Sequence, residues 1–440
     1  MATVEDIMKT VDEKNISFVR IWFTDVLGFL KSFSITTREL EDAFEDGLGF
    51  DGSSIRGFTG IDESDVVGWP DPATFAVLPW RPQERAVGRM FADIKNPDGS
   101  SLESDPRYIL KKMLAKAADQ GYTYYVGPEL EYFYFANNQC PTFLDEAGYF
   151  DQSTEATDID LRRDTVLALE AMGIHIEKSH HEVAQSQHEI DMQYAEGLTM
   201  ADNTITYKYT VKAIARMHGA YATFMPKPIA GINGSGMHCH QSLFQGDRNA
   251  FWDPSDEFHL TAVAKSYIAG LLKYAPEFSL VTSPWVNSYK RLVPGYEAPT
   301  YLAWARRNRS ALVRLPMYKP TKEKATRCEL RCPDPSCNPY LAFTVMLGAG
   351  LKGIEEGLEL APPVEKNIFH MSEAERAEAG IGEMPGSLLE AIQNAEKSAF
   401  LKEALGEQVF GFMINVKKVE WDRFRVAVTD WEVKEYLHML

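Results

Sequence analysis

Two glutamates separated by one residue, Glu129 and Glu131, lie inside a segment that is typical of a β-strand. Residues 125–135 are rich in Tyr, Phe and Val, which favour strands. Alternate residues of a strand share a face, so both carboxylates should point the same way at close range. Like charges that close repel each other, and a divalent cation is the usual compensation. The alternative is the solvated face of an edge strand, and this segment alone does not decide.

Three further segments place polar side chains on one strand face. In two of them the alternating residues are His238, His240 and Ser242, and Arg327, Glu329 and Arg331. In residues 179–191 a short polar loop separates Glu182 from Glu189, as across a hairpin. Any one such face is more often solvated than functional. Together the four segments supply five glutamates and a histidine, which could hold two hard cations.

A basic segment stands out in an otherwise acidic chain. The 440 residues carry a net charge of −18, which argues against nucleic acid or an anionic membrane as the main partner. Residues 290–331 contain eleven Lys or Arg against three acidic residues. This excess suits an anionic substrate, above all a nucleotide polyphosphate, and the alternative is a patch that neutralises the protein's own acidic surface. The chain has no G-x-x-x-x-G-K-[ST], so such a site is not a P-loop.

The length of the chain exceeds that of one ordinary core and predicts two domains. A turn-rich segment at 96–101 precedes a helix start at 104–107, so we predict domains at 1–102 and 103–440. Helices are expected near residues 106–120, 157–172, 200–220 and 258–274 and again from about residue 385. No apolar run approaches the roughly 18 residues of a membrane span. The first ten residues carry charges where a signal peptide is apolar, and we predict a cytoplasmic protein.

Two weaker motifs have structural explanations. Cys328, Cys332 and Cys337 lie close together, but their spacing matches no common zinc motif. Residues 348–353 fit the glycine pattern of dinucleotide-binding loops, which requires a strand running straight into the glycines. Residues 338–359 have helical character instead, so we interpret these glycines as sites of close helix packing.

Seven motifs, in order along the chain, carry a resemblance to a known family. They are residues 50–54 (FDGSS), 127–131 (GPELE), 180–182 (HHE), 233–240 (NGSGMHCH), 287–299 (NSYKRLVPGYEAP), 307–310 (RNRS) and 338–340 (NPY). With them the sequence resembles a type I glutamine synthetase over essentially its whole length. The resemblance implies ATP-dependent ligation of ammonia to the γ-carboxylate of L-glutamate through γ-glutamyl phosphate. It also implies an α+β fold, in which a small β-grasp-like N-terminal domain precedes a catalytic domain with an antiparallel sheet flanked by helices.

Carried over position by position, the resemblance assigns six residues to two Mg²⁺ or Mn²⁺ ions. The ion near glutamate and the transferred phosphate would be held by Glu131, Glu182 and Glu189. The ion that bridges the nucleotide phosphates would be held by Glu129, His238 and Glu329.

The resemblance also assigns the substrate contacts. Those for glutamate are Asn233, Gly234, Arg291, Arg331 and, on a flap loop that closes over the site and excludes water, Glu297. Those for ATP are His240, Ser242, Arg314, Lys324, Arg327 and, for the transferred phosphoryl group, Arg309.

Asp51 matches an aspartate that a neighbouring subunit contributes in this family. There it binds ammonium and removes its proton, because an ammonium cation is no nucleophile. The alternative for Asp51 and Gly52 is an ordinary turn. If the assignment holds, the active sites lie between subunits, and the family forms a double hexameric ring.

Two positions depart from family patterns, and two other functions stay open. Phe369 lies where the longer subtype carries an adenylylated tyrosine, which predicts the shorter, non-adenylylated bacterial and archaeal subtype. Thr59 and Gly60 lie where feedback-inhibited relatives carry an arginine, although Arg56 is near, so glutamine feedback is in doubt. One alternative is a γ-glutamyl ligase that uses an organic amine, against which Asp51 argues. The other is an inactive structural relative, against which the six filled metal positions argue.

Overall fold

The structure is a computed structural model and describes residues 3–60, 64–152, 157–295, 298–316 and 322–440. The strands in these ranges are β1 (Ile16–Thr24), β2 (Leu30–Thr36), β3 (Leu48–Asp51), β4 (Asp65–Pro70), β5 (Ala76–Val77), β6 (Ala86–Lys95), β7 (Thr123–Phe135), β8 (Ile176–His181), β9 (Gln187–Met192), β10 (Ala195–Glu196), β11 (Tyr221–Thr223), β12 (Met237–Gln245), β13 (Arg248–Asn249), β14 (Tyr301–Ala305), β15 (Ala311–Arg314), β16 (Cys328–Leu330) and β17 (Gly382–Glu383). The helices are α1 (Val4–Glu13), α2 (Leu40–Glu45), α3 (Pro106–Asp119), α4 (Thr157–Ala171), α5 (Gly197–Met217), α6 (Ala262–Thr282), α7 (Ser288–Arg291), α8 (Pro339–Glu355), α9 (Glu373–Glu378), α10 (Leu388–Glu396), α11 (Ala399–Leu405), α12 (Glu407–Arg425) and α13 (Asp430–Tyr436).

The start of α3 follows from local sequence. The Asp105 side chain accepts a hydrogen bond from the Arg107 N–H, and Pro106 occupies the first helical turn, where no N–H is needed. Helix α8 begins in the same way, with the Asn338 side chain as the cap before Pro339.

The first sheet is formed by strands of the N-terminal part of the chain. Its described order is β2-β1-β6-β4-β3, with β5 also paired to β6. The strands β1 and β6 run parallel, and the other pairs are antiparallel. Val19, Ile21 and Met90 are fully buried in the separate core of this sheet.

The second sheet is built around the long strand β7. Its described order is β17-β14-β15-β16-β12-β7-β9-β8, with β10 and β11 paired to β7 and β13 to β12. The pairs are antiparallel except β14 with β15, which makes this sheet mixed. The predicted α+β class is confirmed. The predicted domain boundary near residue 103 stays a prediction.

One face of β7 anchors this sheet to the helices. Leu130, Tyr132 and Tyr134 are fully buried on it, and they belong to the same core as residues of α5, α6 and α8. Glu129 and Glu131 point to the opposite face, which we call the polar face. The strand therefore presents carboxylates on one side because its other side is committed to the core.

Close helix packing explains the glycine pattern at residues 348–353. A Cβ added to Gly353 would lie 2.2 Å from the Ser266 carbonyl oxygen, so only glycine allows α8 to approach α6 this closely. The interpretation as a packing site is confirmed, because the glycines lie inside α8 and follow no strand. Cys328, Cys332 and Cys337 are free and buried. Among the described helices, none is long and apolar enough to span a bilayer.

Candidate active site

The register of the strands brings the predicted metal ligands together on the polar face. Glu129 lies between His238 of β12 and Asp191 of β9. Glu131 lies opposite Glu189 of β9. Because backbone hydrogen bonds fix this register, the side chains are placed before any ligand arrives.

Strands β8 and β16 add further side chains to the polar face. On one side, His180 of β8 lies opposite Glu189. On the other, Glu329 of β16 lies between His240 of β12 and Arg314 of β15. The polar face is therefore a band of carboxylates and imidazoles with cations along its β15 edge.

Glu129, His238 and Glu329 form one candidate metal cluster. Their ligand atoms lie within 4.8 Å of one another. His238 Nδ1 is 3.7 Å from Glu129 Oε2 and 3.8 Å from Glu329 Oε1, too far for hydrogen bonds. Ligands of one Mg²⁺ or Mn²⁺ ion, each at about 2.1 Å from it, lie about 3–4 Å apart, so this trio fits a divalent cation.

The second predicted trio, Glu131, Glu182 and Glu189, is linked through its neighbours. Glu131 Oε2 accepts hydrogen bonds from the Gly236 N–H at 2.8 Å and from Gln187 Nε2 at 3.0 Å. His180 joins the other two glutamates, with Nε2 at 3.1 Å from Glu189 Oε1 and Nδ1 at 3.4 Å from Glu182 Oε1.

The cluster of close ligand atoms in this second region differs from the predicted trio. It consists of His180, Glu189 and Asp191, whose ligand atoms lie within 4.8 Å of one another. Sequence reasoning missed His180, Gln187 and Asp191 as members of the site. Asp191 had a signal, because it follows Glu189 by two residues and so shares its strand face.

Burial and charge divide the carboxylates into two groups. Burial raises the pKa of Glu131 to about 7, against the opposing effect of the Arg291 guanidinium. Burial also raises the pKa of Glu189 well above its usual range, and the charges of Asp191 and Glu129 raise it further. This side of the polar face therefore resists full ionisation unless a cation is present, which is the behaviour expected of metal ligands.

The group near β16 has the opposite tendency. Burial opposes ionisation of Glu329, but Arg331, with the imidazoles of His240 and His238 and the guanidinium of Arg314, lowers its pKa to about 2. Arg331 Nη1 lies 2.5 Å from Glu329 Oε1. Burial, with Arg331, lowers the pKa of His238 to about 4, so its imidazole is neutral at pH 7, as a metal ligand must be.

A cavity of about 40 Å³ contains the described glutamate-binding candidates. It is lined by Glu131, Glu182, Gln187, Asn233, Gly234, His238, Arg291, Ala298 and Arg331. Gly234 is required at its position, because an added Cβ would lie 2.3 Å from the Pro226 carbonyl oxygen. Glu297 lies outside the described residues.

Arg291 is held by the backbone beside this cavity. Its Nη1 donates to the carbonyls of Cys332 at 2.9 Å and Pro333 at 3.1 Å, and its Nη2 donates to that of Arg331 at 3.1 Å. Three of its five N–H donors are thereby used.

A cavity of about 740 Å³ adjoins the polar face on its other side. All five of the predicted ATP contacts other than Arg309 line it, namely His240, Ser242, Arg314, Lys324 and Arg327. Arg327 Nε donates to His240 Nδ1 at 3.1 Å, so Nδ1 is the acceptor and Nε2 carries the proton that faces Glu129 Oε1 at 2.9 Å. Sequence reasoning missed Lys178, which also lines this cavity and pairs with Asp191 at 2.6 Å.

Neither Arg309 nor Asp51 is among the described residues that line the two cavities. Arg309 is exposed in the turn between β14 and β15. Asp51 is exposed at the end of β3 in the first sheet, where it accepts hydrogen bonds from the Ser53 N–H at 2.9 Å and from the Ser54 hydroxyl at 3.0 Å. Hydrogen bonds from Ser53 and Ser54 lower the pKa of Asp51, which keeps the carboxylate ionised.

The fold has two sheets of the α+β class, and a face of candidate metal ligands lies between two cavities lined in part by basic side chains. The family model "Glutamine synthetase, catalytic domain" matches residues 103–436, and "Glutamine synthetase, beta-Grasp domain" matches residues 15–97. A glutamine synthetase of Methanosarcina mazei is 52% identical over 442 residues, covering 100% of this chain and 98% of the relative. One of Mycolicibacterium smegmatis is 51% identical over 441 residues, covering 99% of each.

A solved structure shares the whole architecture. The structure titled "GmaS/ADP complex" aligns with a TM-score of 0.89 and 30% identity, and 100% of each chain is covered. The chain belongs to the glutamine synthetase family, and its function is glutamine synthetase activity. The predictions of this enzyme activity and of a β-grasp N-terminal domain are confirmed.

Proposed function

We propose that the polar face and its two cavities are where ammonia is joined to the γ-carboxylate of L-glutamate, with ATP converted to ADP and phosphate. A carboxylate does not react with ammonia at neutral pH, so it is first activated as γ-glutamyl phosphate. One observation carries this proposal: Glu129 lines the large basic cavity and Glu131 the small arginine-lined one. A polyphosphate in the first cavity and a carboxylate in the second would meet at these two residues.

The polar face would hold two divalent cations, Mg²⁺ or Mn²⁺. One would be bound by Glu129, His238 and Glu329, and the other by Glu131, Glu182 and Glu189. The donor chemistry supports this assignment, since hard carboxylate oxygens and one neutral imidazole suit both ions. When bound, the cations supply charge neutralisation for the reacting phosphate and carboxylate oxygens.

Arginines would supply the remaining positive charge. Arg291 has two N–H donors left for a carboxylate of glutamate after it binds the backbone. Arg331 lines the same cavity and would bind a second substrate oxygen. We assign Arg309 to the transferred phosphoryl group and Glu297 to the flap that excludes water from the acyl phosphate.

The remaining contacts would orient the two substrates. Asn233 and Gly234 would bind the amino-acid end of glutamate, which their place in the small cavity supports. His240, Ser242, Arg314, Lys324 and Arg327 would bind ATP in the large cavity. His240 hydrogen-bonds to Glu129, and Arg314 hydrogen-bonds to Glu329, so two of these nucleotide contacts also bind candidate metal ligands.

Ammonium would be bound and deprotonated by the partner subunit's Asp51. Two observations support a contribution from a neighbour: Asp51 lies outside both cavities of its own chain, and its carboxylate is exposed and held ionised. The active enzyme would then be an oligomer with sites between subunits, which we propose to be a double hexameric ring.

The test is phosphate release from ATP by the assembled enzyme with glutamate and Mg²⁺, comparing ammonium with a panel of organic amines. We expect release that requires both glutamate and ammonium. Release with an organic amine alone would instead identify a γ-glutamyl-amine ligase.

Asp51→Asn tests the ammonium role. Loss of a general base costs about 10²–10⁴-fold, so kcat/KM for ammonium should fall in that range while the KM for ATP is unchanged. Asp65→Asn is the matched control, because Asp65 is exposed and lies directly opposite Asp51 in β4. Equal turnover of the two variants would contradict the role of Asp51.

We also propose that the chain is of the shorter, non-adenylylated subtype. Phe369 has no hydroxyl to accept an adenylyl group, and its ring packs 5.9 Å from that of Tyr301. Intact mass spectrometry of enzyme purified from its natural source should find no adenylylated chain, and a mass increase of one adenylyl group would contradict the proposal.

A further inference from the structure

A buried cluster of three side chains lies directly behind the loop that carries Glu182. Asp145, His181 and His188 are all fully or almost fully buried. His181 Nε2 is 2.8 Å from Asp145 Oδ1, and His188 Nε2 is 3.6 Å from Asp145 Oδ2. None of these residues lines the two cavities of the site.

Within this cluster, Asp145 and His181 form a hydrogen-bonded clamp, while His188 packs beside them. Asp145 Oδ1 accepts from His181 and also from the N–H groups of Ser186 at 3.0 Å and Ala147 at 3.1 Å. An ion shared by Asp145 and His181 would separate their ligand atoms to more than 3 Å, so the direct 2.8 Å contact argues for a hydrogen bond between them.

The clamp holds both ends of the loop between β8 and β9. His181 is the last residue of β8, and Ser186 immediately precedes β9. The Ser186 hydroxyl accepts from the N–H groups of Leu144 at 2.7 Å and Asp145 at 3.2 Å. The two segments therefore fix each other, with Asp145 at the junction.

His181 passes this constraint to Glu182. Its Nδ1 lies 2.7 Å from the Glu182 carbonyl oxygen, while its Nε2 is bound to Asp145. The imidazole thus spans from the buried carboxylate to the backbone of the residue whose side chain lines the glutamate cavity. A ring held at both nitrogens allows little rotation of the Glu182 peptide.

We infer that Asp145 and His181 are positioning residues that hold Glu182 in the orientation in which it binds a divalent cation. This inference rests on the proposed role of Glu182 as a metal ligand. Residues that orient metal ligands typically contribute 10–100-fold to metal affinity.

The test is the binding of Mn²⁺ to the assembled, substrate-free enzyme, followed by the EPR signal of free Mn²⁺. Four variants are compared with the unaltered enzyme: Glu182→Gln, His181→Phe, Asp145→Ala and Asp145→Asn. His181→Phe keeps the ring volume and removes both hydrogen bonds. Asp145→Asn keeps an Oδ1 acceptor and is the conservative control for Asp145→Ala. The thermal unfolding midpoint of each variant is measured in parallel.

We expect His181→Phe and Asp145→Ala to weaken one class of Mn²⁺ sites by about 10–100-fold, the same class that Glu182→Gln weakens. Asp145→Asn, which keeps the Oδ1 acceptor, should retain most of the Mn²⁺ affinity that Asp145→Ala loses. If Glu182→Gln weakens a class but His181→Phe and Asp145→Ala change only the unfolding midpoint, the clamp is purely structural and the inference is overturned. If Glu182→Gln leaves both classes unchanged, the proposed role of Glu182 fails and the inference with it.

Discussion

Two clusters of buried charge in this protein are built in opposite ways. One joins the N-terminal sheet to the helices around Arg107, and the other is the polar face. Around Arg107, three cations (Arg89, Arg107 and Lys111) face Asp71, Asp93 and Asp202, and the buried Asp105 lies beside them. On the polar face, Glu129, Glu131, Glu182, Glu189, Asp191 and Glu329 are grouped together, and Lys178, Arg291, Arg314, Arg327 and Arg331 lie around them.

The Arg107 guanidinium binds three carboxylates of the same chain. It binds Asp202 through two hydrogen bonds, at 3.1 and 2.9 Å, and reaches Asp71 at 2.7 Å and Asp93 at 2.5 Å. The pKa of Arg107 is raised, because these carboxylates outweigh the opposing effect of burial.

In the part of the chain that the structure describes, two carboxylates of the polar face have no such cation bound to them. Burial raises the pKa values of Glu131 and Glu189, and among the described residues neither forms an ion pair with a Lys or Arg side chain. Burial also raises the pKa of Asp105 in the Arg107 cluster to about 7, so one buried acid with a raised pKa is not by itself a sign of function. Several such acids side by side, with no cation of the chain bound to them, are the more specific sign.

Replacing Arg107, the central cation of the first cluster, should have the largest effect on the free energy of unfolding. Arg107→Met leaves buried carboxylates unpaired, and loss of one partner of a buried pair typically costs about 3–5 kcal/mol. We expect the free energy of unfolding to fall by this amount in thermal or urea unfolding. Arg163→Met is the control, since its pair with Asp164 is exposed and should contribute under about 1 kcal/mol. Equal losses in the two variants would contradict the account.

Removing a carboxylate from the polar face should have the opposite sign. Glu189→Gln relieves a charge that burial and its neighbours disfavour, so we expect the metal-free protein to gain about 1–3 kcal/mol at pH 8. The measurement is unfolding in the presence of a chelator, with Glu378→Gln on the surface as control. The same variant should lose ligase activity. A destabilised metal-free variant would show that the carboxylates are already balanced.

The smallest expected effect is a dependence of metal binding on pH. The folded protein holds the Glu131 proton up to a pKa of about 7, whereas the unfolded chain releases it near 4.5. The metal-free protein should therefore be favoured by this group below about pH 4.5 and lose that contribution as the pH rises through about 7.

Binding of a cation must displace the same proton. Mn²⁺ affinity should rise at least about tenfold per pH unit between pH 5.5 and 7, because the raised pKa values of Glu131 and Glu189 mean that the ion must displace protons from both. Calorimetric titration in buffers of different protonation enthalpy would count the protons released. Affinity that is flat across this range would contradict the raised pKa.

The local sequence predicted much of the polar face but not its neighbours. The alternation around Glu129, His238 and Glu329 sufficed to predict strands with ligands on one face, because strand periodicity is a local property. His180 and Asp191 join the site through cross-strand register, which depends on pairings between distant segments. One sequence does not contain that register in any local pattern.

The local sequence also failed to predict where α6 ends. A helix was predicted to end near residue 274, just before Pro276, yet α6 continues through this proline to Thr282. Proline removes a hydrogen bond from a helix interior, but burial of Phe278, Leu280 and Val281 outweighs that loss. Tertiary packing, and not local helix propensity, therefore sets the end of α6.

The most direct test is a crystal structure of the enzyme with Mn²⁺ and ADP, using anomalous scattering to locate the metal. The account predicts at least two anomalous peaks on the polar face. One should lie among Glu129, His238 and Glu329, and the other among Glu131, Glu182 and Glu189. A fully occupied nucleotide without metal on this face, or Mn²⁺ bound only at the cluster of Asp145, His181 and His188, would contradict it.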